Sequence, residues 1–232
     1  MTEALVIGGS SRIGAAIGHT LAGLGHNVTL WGRDAARLGL AADQIRAAGG
    51  RAGHRVVDVS DRAALREAAE QVLAGPPLSA VVWAAGLFDW ADADQVEPAA
   101  WDQLFEVNLV AAAAATRLLL PALLASAPSS LIYLGSVASR QSFAHNAAYV
   151  ASKHGLAGLS GAVWLDVRDR GVKVSLIAPG LVAAGAGLRS PQGQADPGQL
   201  LQPADVAAAV RFVVTFPDRG CPTEIRLEPQ RG

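Results

Sequence analysis

Tyr149 and Lys153 stand four residues apart, and Ser136 lies thirteen positions before the tyrosine. On a helix, positions i and i+4 share a face, so the phenol and the ammonium emerge side by side. An ammonium held near a phenol favours the phenolate, which predicts a lowered pKa for Tyr149. Such a tyrosine can give a proton to a carbonyl or take one from an alcohol near neutral pH. Ser136 follows the apolar run 131–134, which reads as a strand, and it can hold the same substrate oxygen from the other side. A Tyr-x-x-x-Lys spacing alone arises often by chance. The serine at a strand end gives it context, and so does the start of the chain.

The apolar run 4–7 suits a strand buried on both faces. It breaks at Gly8-Gly9-Ser10-Ser11-Arg12-Ile13-Gly14, and a helical pattern follows through Ile13, Ile17, Leu21 and Leu24. Strand, glycine turn and helix start together make a dinucleotide site. Glycines let the backbone approach a pyrophosphate, and the helix N-terminus offers unpaired N–H groups to its charge. Gly8, Ser10, Ser11, Arg12, Ile13 and Gly14 are the residues placed there. Their spacing differs from the common Gly-x-Gly-x-x-Gly.

Further along, strands and helices alternate. Strands are expected at 28–31, 55–59, 78–84, 131–134, 172–177 and 224–227. Helices are expected at 34–48, ended by Gly49-Gly50, and at 61–73. A long helix should open at Pro98 and carry Trp101, Leu104, Phe105 and Asn108. The Tyr149 helix and one over 203–215 complete the pattern. This alternation predicts an α/β fold: one doubly wound Rossmann domain over residues 1–232, a parallel sheet of about seven strands with helices on both faces. Residues 183–202, rich in Gly, Pro, Gln and Ala, read as a mobile substrate lid past the strand ends.

Composition points to a soluble enzyme. The 232 residues carry a net charge of −1, with 51% hydrophobic and 17% charged residues. Nothing in that balance attracts nucleic acid or an anionic membrane. The longest apolar stretch, 109–125, is interrupted by Arg117 and Pro121 and is short for a span. No charged segment followed by an apolar one opens the chain. The single cysteine, Cys221, forms no internal disulfide, which suits a reducing cytoplasm. The alanine-rich helices suit close packing and buried subunit contacts.

Taken together, the chain resembles the short-chain dehydrogenase/reductase family almost end to end. Gly8 and Gly14 match the first and last glycines of its opening motif. Asp58-Val59 is similar to the family's adenine-contacting pair, and Ala85-Gly86 to the end of its fourth-strand motif. Asn108, Ser136, Tyr149 and Lys153 match its catalytic tetrad, and Pro179-Gly180 its Pro-Gly after the sixth strand. The departures are Ile7 for threonine, Arg12 for the middle glycine, Trp83-Ala84 for an Asn-Asn pair and Ala184 for a cofactor-contacting threonine. The resemblance implies hydride transfer between nicotinamide and a carbonyl or alcohol. Tyr149 would pass the proton, Ser136 polarise the oxygen, Lys153 tune the tyrosine and hold the ribose, and Asn108 hold a relay water. It extends the cofactor set to Asp58, Val59, Ala84, Ala85, Gly86, Tyr149, Lys153, Pro179, Gly180 and Val182, and implies a homodimer or homotetramer.

The acid that binds the ribose hydroxyls of NAD in this family is replaced by Gly32, and Arg33 follows. A missing carboxylate beside a guanidinium favours the 2′-phosphate of NADP(H) over NAD(H). Arg33 read as a solvated loop residue, with Asp34 as a helix cap, is the plainer account. Arg12 also occurs in the pteridine-reductase branch, a narrower alternative. The rival from another class is a nucleotide-binding sensor that has lost catalysis. His145 and His154 flank Tyr149 and read as structural histidines, with the substrate entrance as the alternative place for His145. Trp83, Trp90 and Phe143 would wall an apolar pocket or belong to the core. The Asp89, Asp92 and Asp94 run reads as a solvated loop, and no spacing of ligands predicts a metal. The lid carries few charges, so the expected substrate is a small, largely uncharged carbonyl compound.

Overall fold

The computed structural model describes residues 2–230. Seven strands form one sheet in the order β3-β2-β1-β4-β5-β6-β7. They are β1 Glu3–Ile7, β2 Asn27–Gly32, β3 Arg51–Val56, β4 Leu78–Trp83, β5 Ser129–Leu134, β6 Val172–Pro179 and β7 Glu224–Leu227. Every pairing is parallel. The strand order reverses between β1 and β4, so a crevice opens there beyond the carboxyl ends.

Alternation along each strand explains the two cores. In β1, Leu5 and Ile7 face one side, while Ala4 and Val6 face the other. Leu5 and Ile7 join Trp83, Leu131, Tyr133 and Leu176 beneath α3 (Arg62–Leu73), α5 (Ala111–Ala125) and α6 (Ala147–Val167). Ala4 and Val6 join Leu30, Val82 and Ile132 beneath α1 (Arg12–Gly23), α2 (Ala35–Ala47) and α9 (Pro203–Thr215). Both faces are covered, which is why these strands read as continuous apolar runs. Each fully buried Leu, Ile or Val stabilises the sheet by roughly 1.5–3 kcal/mol.

Two expectations are corrected here. The third strand runs 51–56 and not 55–59, so Asp58 and Val59 lie past its end. It is an edge strand whose Arg51, His54 and Arg55 carry no apolar run to mark it. The stretch ending at Ala125 is also longer than its apolar run. Helix α4 (Pro98–Phe105) passes through a π-turn, Glu106–Val110, directly into α5. Pro121 lies within α5 and does not end it. The combined helix, Pro98–Ala125, has 28 residues and a mean hydropathy of 1.8, enough by length and composition to cross a membrane. Its inner side packs on the sheet, α3 and α6, as a wall of the core.

Residues 183–202 form a folded unit pinned at both ends. Val182 and Leu201 pair as a bridge, and Ala183 N–H donates to Leu201 O at 2.7 Å. Within it lie α7 (Ala186–Arg189) and α8 (Pro191–Ala195). Gly187 and Gly193 are buried, and a Cβ on either would collide with backbone.

Candidate active site

A cleft of about 1020 Å³ runs along the carboxyl ends of the strands. At one end the chain turns from β1 into α1. Gly8 adopts φ +99°, and a Cβ there would lie 2.5 Å from Ala85 N. Ser11 caps α1, its Oγ accepting from Gly14 N–H at 2.9 Å. The N–H groups of Arg12 and Ile13 precede any intrahelical acceptor, and both residues line the cleft. This cradle of bare backbone at a helix N-terminus fits a pyrophosphate.

Gly14 tolerates no side chain, because its Cβ would collide with the carbonyl of Gly8 and sit 2.9 Å from Gly9 Cα. Gly14→Ala is expected to cost about 1–3 kcal/mol through overpacking. A thermal melt should show a midpoint drop of roughly 2–4 °C per kcal/mol for a chain of this size.

At the end of β2, Gly32 leaves room for Ser10. A Cβ at position 32 would stand 2.7 Å from Ser10 Oγ. Arg33 is exposed and lies close enough to Asp58 to help lower its pKa. The larger cause is the Ser60 hydroxyl, which donates to Asp58 Oδ1 at 2.6 Å. Asp34 does cap α2, accepting from Arg37 N–H at 3.0 Å. Arg37 itself lines the cleft, a position the sequence reading passed over.

In the middle of the cleft, Ser136, Tyr149 and Lys153 come together. Ser136 follows β5 and caps the short turn Val137–Ser139, its Oγ accepting from Ala138 N–H at 3.1 Å. Lys153 is 4% exposed. Its Nζ donates to Leu134 O at 3.0 Å and stands 5.7 Å above the centre of the Tyr149 ring. Burial lowers the Lys153 pKa to about 8. Burial also raises the Tyr149 pKa, and the hydrogen bond with Ser136 opposes it. The sequence predicted a lowered phenol pKa. The protein groups reverse that direction, because the ammonium sits over the ring, bonded elsewhere, and desolvation outweighs it.

Asn108 is fully buried in the π-turn and lies behind the cleft. Its Oδ1 accepts from Leu87 N–H at 2.7 Å, and its Nδ2 donates to Leu87 O and Ser152 Oγ, each at 3.0 Å. Both amide hydrogens are thus committed. The side chain clamps the loop after β4. A Cβ on Gly86 would lie 3.4 Å from Asn108 Oδ1 and 3.5 Å from Lys153 Nζ, so this loop runs directly beside both side chains.

Ala84, Ala85, Gly86, Pro179, Gly180 and Val182 line the cleft, as do Ser11, Arg12 and Ile13. Gly8 and Gly14 pack against each other in the turn that carries Ser11, Arg12 and Ile13 into the cleft. Off the cleft lining, Ser10 packs against Gly32 and Arg33 lies near Asp58, whereas Val59 is buried in the core. His145, Trp90 and Phe143 line the opposite end, whereas Trp83 is 1% exposed in the core. Asp92 is not simply solvated: its Oδ1 lies 2.5 Å from His145 Nδ1. Glu228 and Pro229 also line the cleft, and the Glu228 carboxylate lies against Gly180. Nothing in the linear sequence places the C-terminal segment there.

The short chain dehydrogenase family model matches residues 2–194. The chain belongs to the short-chain dehydrogenase family, and it is an oxidoreductase of the kind that works between alcohol and carbonyl groups. It is 32% identical over 225 residues to a galactitol 2-dehydrogenase (L-tagatose-forming) of Cereibacter sphaeroides, covering 91% of this chain and 87% of that one. Among solved structures it is similar to a metagenomic short-chain oxidoreductase in complex with NADP. There the identity is 32% and the TM-score 0.87, covering 100% of this chain and 98% of that one. It is also similar to a 3-oxoacyl (acyl-carrier-protein) reductase from Agrobacterium tumefaciens C58 with NADP bound. The identity is 25% and the TM-score 0.90, covering 98% and 93%.

Proposed function

We propose that this protein is an NADP(H)-dependent reductase of ketones or aldehydes. The observation that carries the reading is the Ser136–Tyr149–Lys153 cluster, with Lys153 buried beneath two half-buried hydroxyls, in a cleft whose far end is the Gly8–Gly14 turn. Gly8, Arg12, Ile13 and Gly14 hold the pyrophosphate on bare backbone. Lys153, Ala84, Ala85, Gly86, Pro179, Gly180 and Val182 surround the nicotinamide half. Ser10, Arg33, Asp58 and Val59 form the adenosine end. When bound, NADP(H) supplies the hydride at its nicotinamide. The chain supplies the rest. Ser136 donates to the substrate oxygen and orients it. Tyr149 gives that oxygen its proton, and Lys153 stabilises the phenolate left behind. Asn108 is a positioning residue that fixes the loop following β4. The unit 183–202 covers the substrate and excludes water.

NADP(H) is preferred because position 32 carries no carboxylate and the exposed Arg33 follows it, a guanidinium suited to a 2′-phosphate. Two solved relatives holding NADP support the same choice. Fluorescence titration is expected to show tighter binding of NADPH than NADH. Arg33→Ala should weaken NADPH roughly tenfold, a loss near 1.4 kcal/mol, and NADH by less than about twofold. Equal losses for both cofactors would assign Arg33 to the loop alone. Turnover is then read from nicotinamide absorbance with ketones, aldehydes, quinones and pterins. Tight NADPH binding without turnover on any of them would favour the sensor.

A further inference from the structure

The loop after β4 and the loop before α6 are tied together beside Tyr149. Ala91 N–H donates to His145 O at 2.9 Å, and Ala91 pairs with Asn146 as an isolated bridge. The His145 imidazole meets the Asp92 carboxylate at 2.5 Å. His145 has φ +59°, a left-handed conformation that costs a residue other than glycine about 1–3 kcal/mol. The backbone bond, the bridge and the carboxylate hold it there.

What this strained residue secures is a set of rings. The His145 ring stacks on the Trp90 indole, 6.2 Å between centres and 14° between planes. Trp90 meets Phe88 edge to face at 6.3 Å, and Phe88 meets Tyr149 the same way at 4.9 Å. Four rings therefore run from the phenol to the mouth of the cleft. Trp90 is 57% exposed and Phe143 46%, and both line that cleft. Two large exposed aromatics, one of them stacked on a strained residue, add little to the core. Their placement makes sense as a surface kept ready for a ligand.

We infer that Phe88, Trp90 and His145, with Phe143, form a specificity wall for a flat, uncharged ring ketone or its ring alcohol; this rests on the reductase reading above. Aromatic rings gain about 0.5–1.5 kcal/mol from stacked or edge-on pairing beyond the area they bury. A polyhydroxylated chain lying on the same wall would leave hydroxyls without partners, which costs it affinity. Asp92 is a positioning residue, acting on Trp90 through His145.

The test uses the full chain with NADPH and compares kcat/KM for tetralone, butanone and a ketohexose. Tetralone should be favoured over the ketohexose by about a hundredfold and over butanone by about tenfold. Trp90→Ala should lower the tetralone-to-butanone ratio roughly tenfold, chiefly through KM, and Trp90→Phe should restore most of it. Asp92→Asn should lower the same ratio by about threefold, with KM rising and kcat little changed. Unchanged melting temperatures exclude a general loss of fold. Quenching of tryptophan fluorescence by naphthol, which the enzyme cannot reduce, reads the wall without turnover. Naphthol quenching that disappears in Trp90→Ala while no ketone reacts would keep the wall and overturn the reductase reading. Ketone turnover with no preference for the ring compound would overturn the wall and keep the reductase reading. Absence of naphthol quenching, or equal losses on all substrates in Trp90→Ala, would also overturn the wall.

Discussion

Tyr149→Phe is expected to reduce carbonyl turnover by about three orders of magnitude while the NADPH Kd changes by less than about twofold. The substitution deletes one hydroxyl and keeps the ring, so the edge-on contact with Phe88 and the packing over Lys153 remain. On the proposed mechanism the hydroxyl is the proton donor, and it stands beside Ser136 and Lys153 in the cleft. Its raised pKa also sets the pH profile. The phenol keeps its proton through neutral pH, so reduction starts from the form that donates. Reduction should therefore be level through neutral pH and fall under alkaline conditions, whereas oxidation of an alcohol should rise with pH. Steady-state rates in both directions on the wild type and Tyr149→Phe check this. A variant retaining a tenth of the wild-type kcat would remove Tyr149 from the proton step.

The sequence made some of this site readable for a definite physical reason. Residues that lie close along one element announce themselves by spacing: Ser11, Arg12 and Gly14 at a helix start, or Tyr149 and Lys153 one turn apart. Pro98 and Gly49 mark helix ends because proline and glycine act through local backbone preferences. The parallel sheet shows in its apolar runs because helices cover both of its faces. Features that depend on packing between distant segments left no such mark. Asp92 and His145 are 53 residues apart and meet only because two loops bridge at Ala91 and Asn146. Glu228 reaches Gly180 because β7 lies beside β6. The π-turn that points Asn108 at Leu87 has no composition of its own. The direction of the Tyr149 pKa failed for a related reason. Spacing places a lysine near a tyrosine, but the balance between its charge and the dryness of the site belongs to the assembled fold.

Lys153→Met should give opposite results for stability and for activity. The ammonium is 4% exposed, and burial holds its pKa at about 8 against an ordinary 10.5. Below pH 8 the lysine is charged in both the folded and the unfolded chain, and the folded chain bears the desolvation. A difference of this size corresponds to about 3 kcal/mol, at 1.36 kcal/mol per pKa unit. Because the folded pKa is the lower one, the unfolded chain binds more protons between pH 8 and 10.5. Stability of the wild type therefore rises with pH across that window. Methionine fills a similar length without charge. It gives up the bond to Leu134 O, worth about 1 kcal/mol, so the net gain near neutral pH should be roughly 2 kcal/mol. Denaturant unfolding should show Lys153→Met more stable than wild type at neutral pH, with the gap closing as pH approaches 10.5. Turnover should fall by about two to four orders of magnitude, because the phenolate loses its stabilising charge. A variant less stable than wild type at neutral pH would mean that Lys153 holds the fold together, and its burial would then need no explanation from catalysis.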